Sequence, residues 1–312
     1  MAKRRGQPVH GWINLDKPLG ISSARAVGIV RRVFNAAKAG HGGTLDPLAS
    51  GILPIALGEA TKTVSYAMDG RKSYQFTLKW GAETTTDDAE GDIVTTSDTR
   101  PNVDEITAIL PQFTGLIDQV PPIFSAIKID GARAYDLARK ADGGAGGPVP
   151  ELAARPIMIE SLSLVTADAQ SACFKVECGK GAYIRALARD IGRALGSAAH
   201  VIDLRRLSVG PFHIDNAISL DFLESLTHSS AAFEHLHPVV SALDDIPALP
   251  ISEDEASRFR HGQTLPAISA SAQTRFAALL SGDVAIALRD NVPVALVSIQ
   301  RGEVRPVRVF NI

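Results

Sequence analysis

Gly40-His41-Gly42-Gly43-Thr44-Leu45-Asp46-Pro47-Leu48-Ala49-Ser50-Gly51 is too dense in glycine over Gly40 to Pro47 for a regular element, so it predicts a loop. Gly42 and Gly43 permit positive φ and close backbone approach, and Pro47 stiffens the chain immediately after Asp46. A carboxylate held this way is placed by backbone geometry, which suits a nucleophile or a general base. An Asx-type turn before a proline is the plainer reading of the same residues. No Gly-Lys-Ser/Thr follows, so the stretch is not a phosphate loop. His41 has no companions at metal-ligand spacing, which disfavours a ligand role.

Upstream, Gly11 to Gly20 reads as a strand stopped by a Pro/Gly turn, and Ser22 caps a helix with Val27, Val30 and Phe34 at helical spacing. Downstream, Tyr74, Phe76, Leu78 and Trp80 alternate with Ser73, Gln75, Thr77 and Lys79, the period of a half-buried strand. Thr84 to Gly91 is a polar turn, Ile93-Val94 resumes a strand, and Val103 to Phe113 predicts a helix. Ile157 to Val165 and Ala172 to Cys178 predict strands, and Tyr183 to Leu195 a helix. Ala141 to Pro150 reads as a glycine-rich surface segment. Strands and helices mix without a βαβ rhythm, so the fold class expected is α+β.

At 312 residues the chain is long enough for two domains. Its 45% hydrophobic and 21% charged composition is that of a globular protein. A net charge of −2 argues against binding through bulk positive charge, so any nucleic-acid site must be a local patch. Cys173 and Cys178 provide no disulfide framework, and their odd separation puts them on opposite faces of a strand, where both read as structural. The basic start, Met1 to Pro8, has no hydrophobic segment behind it and no apolar run reaches spanning length, so a cytoplasmic protein without membrane attachment is expected. From Phe212 to Ser257 there is no Lys or Arg while Asp and Glu accumulate, so this part is expected to face away from any polyanion. Short strand-like runs from Val284 to Phe310 predict a small β-rich domain joined by a linker near Pro247 to Ser252.

In the helix from Tyr183, Ile184, Leu187, Ile191 and Leu195 form an apolar stripe, while Arg185, Arg189 and Arg193 share another face. Three stacked guanidinium groups are able to track a phosphate backbone or to hold buried carboxylates. A solvated basic face tied to Asp190 is the alternative. Lys180 and Arg205-Arg206 extend the basic density. Tyr74, on the apolar face of its strand, is core by default and needs a partner for its phenol. The remaining histidines form no metal-spaced cluster, which disfavours a metal or redox enzyme.

Taken together, Leu15-Asp16-Lys17-Pro18-Leu19-Gly20-Ile21-Ser22-Ser23, the Ala39 to Pro54 stretch, Leu57-Gly58-Glu59-Ala60-Thr61-Lys62, Ser125-Ala126-Ile127-Lys128, Gly181-Ala182-Tyr183-Ile184-Arg185 and Leu204-Arg205-Arg206-Leu207 resemble the TruB family of tRNA pseudouridine synthases, in order and spacing from about Gly11 to Val209. The resemblance implies a pseudouridine synthase fold with a mixed, mainly antiparallel sheet flanked by helices, over residues 1–246. It implies an acidic helical segment at about 219–246 and a PUA-like RNA-binding domain at 247–312. The reaction implied needs no cofactor or metal: the C1′–N1 bond of a uridine in the tRNA T-arm is broken, the base is turned over, and C1′ is joined to C5. Asp46 is implied as the nucleophile, at the sugar or at the base. Tyr74 is implied to lie against the base and take the C5 proton, and Arg185 to pair with Asp46, as suits a carboxylate that must be ionised to attack. Asp88 joins Arg185 by its match to the Thr-rich turn. Tyr183 packs on the uracil, Leu207 walls the pocket and Lys17 supports its floor. His41 stacks where the flipped base leaves. With an RNA substrate, the helical spacing that puts Arg189 and Arg193 on the face of Arg185 makes them expected substrate-binding residues. A monomer without protein partners is implied.

The chain departs from the family at Phe124, where a Tyr is usual, and at Thr85, where an Asp is common. The glycine-rich Asp142 to Pro148 falls where the family has a mobile lid, and its added entropy opposes ordering. Two alternatives stand beside the enzyme: an RNA-binding or RNA-folding module without essential catalysis, and a synthase acting on another RNA with a guide.

Overall fold

A computed structural model describes residues 6–125, 128–129, 132–134, 152–267 and 284–312. Residues 1–5 of the basic start and the glycine-rich Ala141 to Pro150, with the expected lid at Asp142 to Pro148, lie outside the described residues. The chain forms β1 (Gly11–Lys17), α1 (Ser23–Val33), β2 (Ala39–His41), β3 (Ala49–Leu57), α2 (Val64–Asp69), β4 (Lys72–Trp80), β5 (Ala82–Thr84), β6 (Ile93–Thr96), α3 (Val103–Ile109) and β7 (Gly115–Gln119). A short hairpin, β8 (Lys128–Ile129) and β9 (Ala132–Arg133), comes before β10 (Arg155–Ala167), β11 (Ser171–Cys178), α4 (Ile184–Ala194) and β12 (Ala199–Val209). Then come β13 (Phe212–His213), β14 (Ile218–Ser219), α5 (Leu220–Ser225), β15 (Ala248–Pro250), α6 (Glu253–Arg260), β16 (Leu265–Pro266), β17 (Ala285–Arg289), β18 (Val292–Gln300) and β19 (Glu303–Val309). Among the described residues no helix is long and apolar enough to cross a membrane.

The residues divide into two compact units: Met1–Asp46, Ile52–Met68 and Gly210–Ile312 form the first, Pro47–Gly51 and Asp69–Val209 the second. In the second, strands run in the order β3-β12-β4-β11-β10-β7, with β3 parallel to β12 and the other neighbours antiparallel. Alternation on β4 does what its sequence predicts, burying Phe76, Leu78 and Trp80, and Phe76 stacks on Phe174 of β11 at 5.3 Å. The helix expected from Val103 to Phe113 is split. Asn102 and Glu105 form a capping box at its start, and Pro111 forces the 3₁₀ turn Leu110–Phe113, because proline removes an N–H and crowds the preceding turn.

In the first unit β1 lies between β14 and β3, and Ser22 caps α1 by accepting from the Arg25 N–H. The expected loop begins later than its glycines imply: Gly40 and His41 pair in β2 with Ala56 and Ile55 of β3. Long-range pairing overrides their weak strand preference. Gly42 then donates to the Pro54 carbonyl at 2.8 Å, and a Cβ on it would stand 3.1 Å from that of Ala67. The acidic segment contains α5 and the 3₁₀ turns Ser230–His235 and Val239–Ala242.

The C-terminal strands form a five-stranded sheet in the order β15-β17-β18-β19-β16. Leu249, Ala256, Phe259, Leu265, Ala295 and Val304 belong to its own hydrophobic core. The linker expected near Pro247 to Ser252 is instead largely strand β15, which pairs in parallel with β17 because Leu249 and Ile251 are drawn into that core.

Candidate active site

On the first unit, the loop carrying Asp46 is pinned one residue earlier. The Ser23 hydroxyl donates to the Leu45 carbonyl and accepts from the Leu45 N–H, each at 2.8 Å and buried. Ser23 opens α1, so a helix terminus fixes the backbone that presents Asp46, whose side chain is half-buried. His41 is half-buried on β2. Lys17 is fully buried at the end of β1, and its ammonium donates to the Pro18 and Ile21 carbonyls at 2.9 Å each, closing the turn after the strand.

On the second unit, the residues after Pro47 enter the sheet at once. Gly51, Arg206, Tyr74 and Val176 align as successive partners across β3, β12, β4 and β11. Gly51 has φ +101°, and a Cβ there would lie 2.1 Å from the Arg206 carbonyl oxygen. Tyr74 is half-buried, not a core residue, unlike the other even-numbered residues of its strand. Leu207, also half-buried, is the unpaired residue of an irregularity between Arg206↔Tyr74 and Ser208↔Ser73. A bulge of this kind re-aims a side chain beside a site.

One step further along, Lys72 aligns with Cys178. Burial, aided by the Arg206 charge, pushes the Lys72 ammonium down to about 8, and burial pushes the Cys178 thiol up to about 12. Such a thiol is unreactive, in keeping with its structural reading.

Helix α4 carries the arginine row, and the row holds carboxylates. Arg185 Nη1 donates to Asp88 Oδ2 at 3.2 Å and to the Thr86 carbonyl at 2.9 Å, and its Nη2 to the Phe124 carbonyl at 3.0 Å. Thus the backbone of Phe124 serves Arg185 although the Tyr hydroxyl is missing. Arg189 donates to Asp87 at 3.0 Å, to Asp190 at 2.9 Å and to the Val120 carbonyl at 2.8 Å. Arg193 grips Glu83 through two bonds of 2.8 and 2.6 Å, which holds its guanidinium pKa above the usual value. Arg189 is 8% exposed and each of its three guanidinium nitrogens donates to a protein acceptor, the arrangement of the carboxylate-holding alternative. Arg193 keeps an exposed flank, but its charged fork is likewise engaged, with buried Glu83.

Burial raises the Asp87 carboxyl to about 6 against the opposing pull of Arg189 and Arg185. Asp87 also takes the left-handed conformation, φ +59°. Tyr183 is the N-cap residue of α4, and its own side chain makes no capping bond. Its N–H donates to Gln119 Oε1 at 2.8 Å, and its carbonyl accepts from Gln119 Nε2 at 3.1 Å.

The structure therefore joins Arg185 to Asp88, sets Tyr183, Arg189 and Arg193 on the same helix, and puts Tyr74 beside Leu207. Asp87, Glu83 and Gln119 were not foreseen. The two carboxylates had a signal in lying next to the Thr-rich turn, whereas Gln119 had none, because its partner is backbone. Among the described residues no three His, Cys, Asp or Glu side chains group so as to hold a metal ion.

A family model described as TruB family pseudouridylate synthase, N-terminal domain, matches residues 31–184, and one described as tRNA pseudouridylate synthase B C-terminal domain matches residues 185–246. The chain is 50% identical to a protein of Rhodospirillum rubrum named tRNA pseudouridine synthase B, over 99% of both chains. It is 51% identical to one of the same name from Bradyrhizobium diazoefficiens, over 99% of this chain and 88% of that one. Among solved structures, a chain in a Cbf5-Nop10-Gar1 complex matches with a TM-score of 0.69 at 25% identity, covering 96% of this chain and 84% of that one. A helix carrying Arg185 against a Thr-rich turn, and separately a pinned loop ending in Asp46, occur in a sequence that these synthases match over nearly its whole length, and the chain belongs to the TruB family of pseudouridylate synthases.

Proposed function

We propose that this enzyme converts uridine-55 in the TΨC arm of tRNA into pseudouridine, with Asp46 as the nucleophile. The observation that carries the reading is the near-full-length identity with curated relatives named tRNA pseudouridine synthase B. The reaction is an isomerisation: C1′–N1 breaks, the uracil turns, C1′–C5 forms, the C5 hydrogen leaves as a proton, and N1 ends protonated, so no atom is gained or lost. Tyr74 takes the C5 proton, and Arg185 serves as counter-ion to the nucleophile. The clamp of Ser23 on Leu45 supports the role of Asp46, because a nucleophile on a fixed backbone loses little freedom in attack.

The uridine leaves its stack to react, and His41 takes the vacated place, at a flipping cost of a few kcal/mol. Tyr183 packs on the flipped uracil, Leu207 walls the pocket and Lys17 supports its floor. The T-arm is held through shape and phosphate contacts, since the deep groove of A-form RNA cannot be read by side chains. Residues 1–246 form the catalytic domain. Residues 247–312 serve as a PUA-like RNA-binding domain, a role supported by their separate sheet and core. The enzyme acts as a monomer in the cytoplasm, without a protein partner.

Purified protein incubated with a bare T-arm stem-loop tests this. Pseudouridine at the position equivalent to 55, with no added guide or protein, is expected. An unmodified stem-loop that becomes a substrate only when a guide RNA is supplied would overturn it.

A further inference from the structure

Arg185 and Arg189 stand one turn apart on α4 and are held in the same way. Nη1 of each donates to a carboxylate of the Thr84–Asp88 turn, Asp88 for the first and Asp87 for the second. Nη2 of each donates to a carbonyl of the segment after β7, Phe124 for the first and Val120 for the second. Gln119, the last residue of β7 and 2% exposed, binds both backbone groups of Tyr183. Between the two contacts the backbone turns, with Asp87 in the left-handed conformation at φ +59°. An unfavourable conformation in a non-glycine residue persists only where its surroundings over-determine it.

The buried apolar face of α4, with Ile184, Leu187 and Ile191, seats the helix, and one anchored arginine beside it leaves small rotations about the helix axis free. A second bracket one turn along removes that freedom, and a lock on the N-cap residue removes sliding. We propose that Asp87, Arg189 and Gln119 are positioning residues for the isomerisation: they set the rotation and register of α4, and so the aim of Arg185 and Tyr183, without touching RNA. This rests on the uridine-isomerase reading above.

Two variants test it. Asp87→Asn combined with Arg189→Met removes both buried charges together, which folded proteins tolerate far better than the loss of one. Gln119→Met keeps the side-chain bulk and deletes both hydrogen bonds. Single-turnover pseudouridine formation at saturating T-arm RNA is expected to fall about tenfold or more in each, as small misplacements of reacting groups do. The Kd for the RNA should stay within about twofold, since no phosphate contact is removed. A wild-type rate in a cooperatively folded variant, or a loss confined to Kd, would overturn the proposal. If the double variant does not fold, Gln119→Met decides alone. Failure of the wild-type enzyme to form pseudouridine would instead overturn the functional reading.

Discussion

Asp88 receives Arg185 on one carboxylate oxygen, at 3.2 Å, and the Thr86 hydroxyl and Glu90 N–H on the other. Both ionic side chains are 10% exposed. A carboxylate bonded on both oxygens cannot swing, so it aims the guanidinium as well as balancing its charge.

Replacing Asp88 by Ala strands a buried guanidinium, and breaking a buried pair from one side costs about 3 kcal/mol. Urea unfolding of Asp88→Ala should show that loss, together with a slower single-turnover rate on T-arm RNA. A loss well under about 1 kcal/mol would mean that the pair carries no more than an exposed one does.

Asp87 gives a pH signature. Its carboxyl, ordinarily near 3.8, stands at about 6 in the folded protein because burial disfavours the charged form. Folding therefore favours protonated Asp87, whose stabilising contribution is fully present below about pH 4 and is lost as pH rises through 6. Measured against Asp87→Asn, which suits the same left-handed backbone, the wild type should lose about 2 kcal/mol between pH 4 and pH 7. Parallel pH dependences for the two proteins would contradict this.

Ser23→Ala removes both bonds to Leu45 and leaves a buried N–H and carbonyl unpaired. A destabilisation of about 2 kcal/mol is expected from chemical denaturation. The rate at saturating RNA should also fall, because the backbone before Asp46 loses its anchor. An unchanged rate in a destabilised variant would separate the clamp from catalysis.

Gly51→Ala tests the packing of β3 on β12. Its added Cβ meets the Arg206 carbonyl at 2.1 Å in a conformation that side chains avoid. A loss of about 3 kcal/mol or more is expected, from strain and clash together. A thermal midpoint equal to the wild type would show that β3 and β12 separate there without cost.

Much of this was legible in residue types and their spacing. Alternation marked β4, the capping serine marked α1, and the row at Arg185, Arg189 and Arg193 marked a face that meets charge. Whether that face met phosphate or carboxylate was not legible, because the answer lies in Asp87, Asp88 and Glu83, about a hundred residues away. Pairing across the chain likewise turned Gly40-His41 and Ala248–Pro250 into strands despite poor local preference. Gln119 was silent because a side chain that binds backbone imposes no residue type on its partner. The motif order that resembles the family carried the assignment of Asp46, which loop chemistry alone left beside an ordinary turn.

Pseudouridine mapping on T-arm RNA treated with wild type and with Asp46→Asn tests the role proposed for Asp46 as nucleophile. The variant should form product at least about a thousandfold more slowly, a loss in the range seen when a catalytic nucleophile is removed, while its Kd for the RNA stays within a few fold. Pseudouridine formed by Asp46→Asn at a rate close to wild type would contradict the assignment.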